Sequence, residues 1–230
     1  MSEMTEIPSE IKQLFYSKKT VRTLKKGTYL FQEGKPAHEL YLIKSGRVQI
    51  SKVIPEGREL SLRICSSHDV IGELTLFTRD AYYMLSAKIL ENSEIYVLGK
   101  DMFEEMLTKN SDLTIKWLKW LQIQNQQNQT KFRDLILHGK KGALYSTLIR
   151  LTNSYGKKVD SGILIDFPLT NQELANFCGS SREVVNRLLS ELKKKNVLEM
   201  KKGSILICDL NYLKDEIDCE NCPVSICRID

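Results

Sequence analysis

The sequence holds only three histidines in 230 residues. No pairing of a base with a nucleophile, no glycine-rich phosphate loop and no dinucleotide fingerprint can be found in it. A small iron–sulfur oxidoreductase would want a second cluster motif, which is also missing, so no enzyme is expected. No stretch approaches the roughly 18 consecutive apolar residues of a membrane span. The start, Met1-Ser2-Glu3-Met4-Thr5-Glu6, is polar and acidic, without the basic opening and apolar run of a signal peptide. A cytoplasmic protein with reduced thiols and no membrane partner is the expectation. Its six cysteines then read as core residues or metal ligands before disulfides.

What is present is ordinary globular material. Hydrophobic residues make up 42% and charged residues 27%, enough apolar surface to build a core and too much for a disordered chain. The length suits one large domain or two smaller ones. A net charge of +5 permits a polyanionic partner without demanding one, so the placement of charge carries more information than its total.

Four regions differ in pattern. Residues 1–108 are mostly strand-like. Tyr29-Leu30-Phe31 runs into Glu33-Gly34, Leu40-Tyr41-Leu42-Ile43 into Ser45-Gly46, and Leu60, Leu62 and Ile64 alternate with Ser61 and Arg63. Short alternating runs punctuated by glycine point to a β-sandwich or barrel. In 109–138 the period changes: Leu118, Leu121, Asn125, Asn128, Phe132 and Leu135 follow a 3,4,3,4,3 spacing, a heptad seam on a long helix. Such a seam wants a partner helix, and its two asparagines would set register in a homodimer. The alternative is a helix lying on its own domain with the amides wet. Residues 139–210 are helical and then strand-like, with Ala143, Leu144, Leu148 and Leu151 on an amphipathic helix and a β-hairpin over Glu199–Ile207 whose basic turn carries Gly203. Residues 211–230 are a short helix and a cysteine-bearing tail.

The most informative segment runs from Leu169 to Leu189. Thr170 with Glu173 makes a capping box that starts one helix, and Gly179 ends it. Ser180 with Glu183 is expected to make a second box. Two short helices across a glycine turn form a helix-turn-helix, and the basic hairpin behind it is a wing. Val184, Val185, Leu188, Leu189 and Leu192 are placed inward, and Arg182, Glu183, Asn186, Arg187 and Ser190 outward. Double-stranded DNA is the expected partner, contacted by Arg182, Glu183, Asn186 and Arg187 together with Thr170, Gln172, Ser180 and Ser181. A bidentate arginine contact to guanine is worth about 1–3 kcal/mol of discrimination. The plainer alternatives are that Glu183 only caps its helix and that the arginines form a solvated face.

Cys65, Cys178 and Cys208 stand alone in sequence and read as small buried hydrophobes. The tail Cys219-Glu220-Asn221-Cys222-Pro223-Val224-Ser225-Ile226-Cys227 is different, with three thiols within nine positions. Two thiolates in C-x2-C reach one centre and Cys227 can fold back as a third. Zinc and iron–sulfur clusters both want four ligands, so the fourth is a carboxylate, a histidine or a distant cysteine.

The order of these regions resembles the Crp/Fnr superfamily of transcription regulators over roughly residues 20–210. Its marks are Ile71-Gly72-Glu73-Leu74-Thr75-Leu76-Phe77, similar to the family's ligand-pocket motif, and Gly179-Ser180-Ser181-Arg182-Glu183-Val184-Val185-Asn186-Arg187, similar to its recognition helix. The resemblance implies an α+β fold: a cupin-like, cyclic-nucleotide-binding-like β-roll, a long dimerisation helix and a C-terminal winged helix-turn-helix. It implies RNA polymerase as a partner and a palindrome of TGTGA-type half-sites read by Arg182, Glu183 and Arg187. The family's cyclic-nucleotide binders carry an Arg-Ser pair where this chain has Met84-Leu85-Ser86-Ala87. A leucine cannot neutralise a cyclic phosphate, so cyclic AMP is not expected, and Gly72-Glu73-Leu74 is expected to serve the fold. With its tail, the chain is most similar to the Fnr-type anaerobic regulators of Gram-positive bacilli. That branch implies one oxygen-sensitive [4Fe–4S] cluster per subunit, held by Cys219, Cys222, Cys227 and, at the position matching the branch's carboxylate ligand, Asp134. A β-roll gated by another small molecule and a tail stapled by zinc are the alternatives.

Overall fold

The computed structural model describes residues 7–201 and 203–230. The polar start Met1–Glu6 and the second lysine of the hairpin turn lie outside them. Two units emerge, one holding residues 7–53, 62–124 and 230, the other residues 54–61 and 125–229, so that the start of the fourth strand and the end of the long helix belong to the second.

The first unit opens with helix α1 (Ser9–Lys18) and continues through strands β1 (Val21–Leu24), β2 (Tyr29–Phe31), β3 (Glu39–Val53), β4 (Glu59–Cys65), β5 (Val70–Ile71) and β6 (Ser86–Gly99), with a 3-10 turn over Glu73–Thr75. Helices α2 (Lys100–Lys109) and α3 (Ser111–Leu137) follow. The sheet runs β1-β6-β3-β4, with β2 on β6 and β5 on β3, and its recorded pairings are antiparallel. The long β3–β6 ladder shifts register between Ile43 and Val48. Gly46 sits there at φ +97°, and a Cβ on it would lie 2.0 Å from Ser93 Oγ, so only glycine fits the kink.

Period-two alternation divides the apolar residues of β3 between two cores. Tyr41, Ile43, Val48 and Ile50 point into the roll with Cys65, Ile71, Ala87 and Ile89. Leu40 and Leu42 point outward, where Ile11 and Phe15 of α1, Phe103 and Leu107 of α2, and Leu113, Trp117 and Trp120 of α3 cover them. The pattern expected to be strand-like through residue 108 therefore has a helix at each end. Each is only ten residues long, and its apolar face is confined to three residues in little more than one turn, Ile11, Leu14 and Phe15 in one and Phe103, Met106 and Leu107 in the other.

The second unit contains the remainder of α3, then α4 (Gly139–Tyr155), β7 (Gly156–Val159), β8 (Gly162–Ile165), α5 (Asn171–Phe177), α6 (Arg182–Lys194), β9 (Leu198–Lys201), β10 (Ser204–Ile207) and α7 (Leu210–Asp215). Its sheet is antiparallel in the order β7-β8-β10-β9. The β7–β8 hairpin escapes the sequence reading, although Gly162 followed by Ile163-Leu164-Ile165 is a fair strand signal. Helix α4 is a second correction. An amphipathic helix was expected from Ala143, Leu144, Leu148 and Leu151, but the whole run from Gly142 to Thr152 is buried, Ser146 and Arg150 included. Helices α5, α6 and α7 and both strands of the first hairpin pack around it.

Candidate functional site

Helices α5 and α6 form the expected pair. Thr170 Oγ1 accepts from Glu173 N at 3.2 Å, and Glu173 Oε2 accepts from Thr170 N at 2.7 Å, completing the capping box. Leu174 and Phe177 are buried, and Gly179 turns the chain at φ +54°. The second cap differs from expectation. Ser181, not Ser180, is the N-cap of α6 and accepts from Val184 N, so no second box forms. The turn is one residue longer than the S-x-x-E spacing suggests, and Ser180 Oγ is buried without a hydrogen-bond partner among the described residues.

Val185, Leu188, Leu189 and Leu192 of α6 are buried. Val184 is half-buried, and Arg182, Glu183, Arg187 and Ser190 are exposed. Glu183 is held below the usual carboxylate range by its own backbone N–H and by Ser181, which is helix capping. Arg187 lies 3.9 Å from Glu191 and remains largely in solvent. Asn186 is half-buried and accepts from Asn171, while Gln172 donates to Asn176 Oδ1 at 2.9 Å. Of the eight residues expected at the DNA face, Thr170, Gln172, Ser181, Arg182, Glu183 and Arg187 are exposed and Ser180 and Asn186 partly covered. The wing strands β9 and β10 pair from Lys201/Ser204, with Gly203 in the turn at φ +87°.

On α3, Leu118 and Phe132 are 57% and 66% exposed, and Asn125 and Asn128 are exposed as well. Leu121 packs against the outer core of the first unit, and Leu135 is half-buried. The open apolar line is therefore Ile115, Leu118, Phe132 and Ile136, with Asn125 between. Of the six residues expected in the seam, Leu118, Asn125, Asn128 and Phe132 are open, whereas Leu121 packs into the outer core beside Trp117 and Trp120.

The cysteine tail folds back on α3 and α4. Gln127 Nε2 donates to Ser225 O at 2.8 Å, Asn153 Nδ2 to Cys227 O at 2.7 Å, and Ile229 N to Ser154 Oγ at 3.0 Å. Ile226 and Ile229 are buried. This docking brings Cys219, Cys222, Cys227 and Asp134 to the wall of one cavity of about 180 Å³, together with Arg133, His138, Ser146 and Arg150. Among the described residues no three such donors gather around a single point, so the four are spread around the cavity.

Asp134 is 5% exposed. Its Oδ2 accepts from Ser146 Oγ at 2.6 Å and from Arg150 Nη2 at 2.8 Å, while Oδ1 accepts from Arg133 at 2.9 and 3.1 Å. Burial raises the carboxyl, but the hydrogen bonds from Ser146, Arg150 and Arg133 outweigh it and hold it below its usual range. Burial pushes the Cys227 thiol up against the lowering effect of Arg150; Cys219, Cys222 and Asp134 raise it further, as close negative charges do. Three thiols and a buried carboxylate around one cavity are a donor set that fits an iron–sulfur cluster. Arg150, Ser146 and Gln127 had no sequence signal, because their polar character suggested solvent.

The other cysteines divide. Cys65 and Cys178 are buried, as expected, whereas Cys208 is only half-buried. Inside the β-roll, Phe31 stacks on Tyr83 with ring centres 3.8 Å apart, and Leu85 packs beside them. Glu73 pairs with Arg63 at 3.4 Å, and Arg63 also donates to Val70 O at 2.6 Å and Gln124 Oε1 at 2.7 Å. Gly72, at φ +100°, approaches Glu39 O so closely that a Cβ would lie 2.9 Å away. Gly72 and Glu73 thus have structural partners. No helix among the described residues is long and apolar enough to cross a membrane.

Comparison with known proteins agrees with this architecture. The profile of the cyclic nucleotide-binding domain family matches residues 21–110, and that of the Crp-like helix-turn-helix domain matches residues 142–216. The chain is 51% identical over all 230 residues to the anaerobic regulatory protein of Bacillus subtilis (strain 168), covering 97% of that protein. It is 32% identical over 196 residues to the lactate racemization regulatory protein of Lactiplantibacillus plantarum, covering 84% of this chain and 89% of that protein. Among solved structures, FixK2 from Bradyrhizobium japonicum superposes with a TM-score of 0.71 at 16% identity, over 85% of this chain and 96% of that one, a likeness of fold. The chain belongs to the Crp/Fnr family of DNA-binding transcription regulators.

Proposed function

We propose that this regulator controls anaerobic gene expression through a [4Fe–4S] cluster, one per subunit, held by Cys219, Cys222, Cys227 and Asp134. The observation that carries this reading is the shared cavity: a residue 85 positions upstream of the first tail cysteine lines the same wall as all three thiols. A structural zinc would call for four donors around one ion, whereas a cluster presents a separate iron to each donor. The relative named for anaerobic regulation, half identical along the whole chain, supports the same reading.

When bound, the cluster supplies an oxygen-labile group between the tail and α3. The chain's own residues do the rest. Gln127, Asn153 and Ser154 hold the tail backbone against α3 and α4. Arg182, Glu183 and Arg187 read base edges of a TGTGA-type half-site, and Thr170, Gln172, Ser180, Ser181 and Asn186 position α6 on the duplex. Leu118, Asn125 and Phe132 form the seam of a homodimer that sets the half-site spacing. RNA polymerase is the protein partner at promoters. Cyclic AMP is no effector in this reading, since Leu85, which packs against the roll core, stands where the family's cyclic-nucleotide binders carry an arginine, and Glu73 is paired with Arg63.

The test is an anaerobic ultraviolet–visible spectrum with iron and sulfide analysis, before and after air, beside binding to a TGTGA palindrome. A brown protein that bleaches in air and loses specific binding is expected. A colourless protein carrying zinc, with DNA binding indifferent to air, would end the cluster reading and leave the DNA-binding regulator intact.

A further inference from the structure

Arg150 is a charged side chain with no exit to solvent. It lies in the middle of α4, with its side chain 4% exposed. Each end of its guanidinium is used. Nε donates to Ser146 Oγ at 3.2 Å, Nη2 to Asp134 Oδ2 at 2.8 Å, and Nη1 to the carbonyl of Ile226, one residue before Cys227, at 3.3 Å. Ser146, one turn earlier on the same helix, donates to the same Oδ2. One residue therefore grips both the carboxylate on α3 and the backbone that presents a thiol from the tail.

Charge makes this grip matter. With a cluster bound, three thiolates and a carboxylate would bring negative charge into a cavity lined by Leu137, Ile149 and Ile217, with Asp218 and Glu220 on the same lining. Buried charge is costly unless it is compensated. Arg133 also faces the cavity, but its side chain is 30% exposed and it is shared with Glu220. His138 lines the same cavity. Arg150 is the deeper guanidinium, and the only carboxylate it pairs with among the recorded ion pairs is Asp134.

We propose that Arg150 is the positioning residue of the cysteine cavity: it fixes Asp134 and the tail at Ile226 in one geometry and supplies the buried positive charge that favours retention of a cluster there. This rests on the cluster reading above, and it adds a division of labour at Asp134. Oδ2 is held by two buried donors, whereas Oδ1 is held by the half-exposed Arg133 alone, so Oδ1 is the oxygen released to a metal at least cost.

Three variants test it: Arg150→Met, Arg150→Lys and Ser146→Ala, each checked for a wild-type far-UV circular dichroism spectrum. After anaerobic reconstitution, Arg150→Met is expected to lose iron to a chelator roughly 10- to 100-fold faster than wild type, the scale seen when an outer partner of a metal ligand is removed. Its midpoint potential should fall, because a positive charge near the site favours the reduced form. Arg150→Lys should restore the potential and only part of the retention, since it keeps the charge and loses the fork. The cluster-free proteins give an independent readout that does not depend on thiol protonation: in hydrogen exchange, deuterium labelling of the tail amides of Ile226 and Cys227 should be several-fold faster in Arg150→Met than in wild type, because the tail has lost its anchor. If Arg150→Met does not fold, Ser146→Ala carries the same expectation for retention, with the potential unchanged. A folded Arg150→Met with wild-type retention, potential and labelling overturns the proposal. If wild-type protein takes up no iron and sulfide, the cluster reading and the charge role fall together. The labelling rates then decide the positioning role, unchanged rates overturning it and faster ones sustaining it.

Discussion

Thiols in this chain differ in their surroundings far more than in their sequence context. Burial pushes Cys65 up to about 12, against the lowering pull of Arg63, and likewise takes Cys178 up to about 12 despite the hydroxyl of Thr147. A thiol titrating that high stays protonated, and so unreactive, through pH 9. Cys219 and Cys222 are half-exposed. Alkylation of the cluster-free native protein at pH 8, followed by mass spectrometry, should modify Cys219 and Cys222 well before Cys65 and Cys178. Early labelling of Cys178 would mean that α5 opens from α4. Asp134 makes the opposite point, since no acid on a helix beside an arginine looks buried in sequence. Removing its carboxylate in Asp134→Ala leaves Arg150 as an uncompensated buried cation, a change that costs about 3–5 kcal/mol. A denaturant midpoint close to wild type for Asp134→Ala would rule out this burial. Asp134→Leu combined with Arg150→Met should recover most of the loss, because the charge and its partner leave together.

Among elements, the helix-turn-helix was the most legible, because its boundaries are written in local chemistry: a capping box, a glycine turn and a strongly amphipathic second helix. The one error, the cap of α6, moves by a single residue and is testable. Ser181→Ala should cost about 1 kcal/mol, the usual price of losing a serine N-cap. Ser180→Ala should fall within about 0.5 kcal/mol of wild type, since its hydroxyl is buried without a partner. Equal losses from both would contradict the cap seen here. Elements without such signals were missed. The apolar faces of helices α1 and α2 span little more than one turn each, and β7 is exposed along its length, so neither the 3.6 nor the 2.0 period runs long enough to stand out. In the β-roll, Arg63 ties β4 to Glu73 and to Gln124 on α3 through contacts that no periodicity announces.

For the whole molecule, the open line Ile115, Leu118, Phe132 and Ile136 along α3 is an apolar stripe that water does not favour. Phe132→Lys should shift the protein towards monomer in sedimentation velocity and weaken binding to a two-half-site palindrome more than to a single half-site. A monomeric wild-type protein would remove the seam. Arg182→Ala should lose about 1–3 kcal/mol of discrimination at the base it contacts, whereas Lys201→Ala in the wing should weaken binding evenly across sequences and flatten its salt dependence. Equal effects on specific and random DNA from Arg182→Ala would make that arginine a phosphate contact.

The sequence by itself determined the order of roll, long helix and winged helix-turn-helix, the inward and outward faces of α6, and the unusual character of the tail. Each depends on spacing within a few turns of chain, where periodicity and capping act directly. Only the tertiary structure decided that α4 is buried all round, that Leu121 of α3 packs into the outer core, and that Arg150 joins Asp134 to the tail. Those facts depend on which elements cover one another. Segments as far as 98 residues apart along the chain meet there, and a polar residue reads as solvent-facing until the partner that satisfies it has been placed.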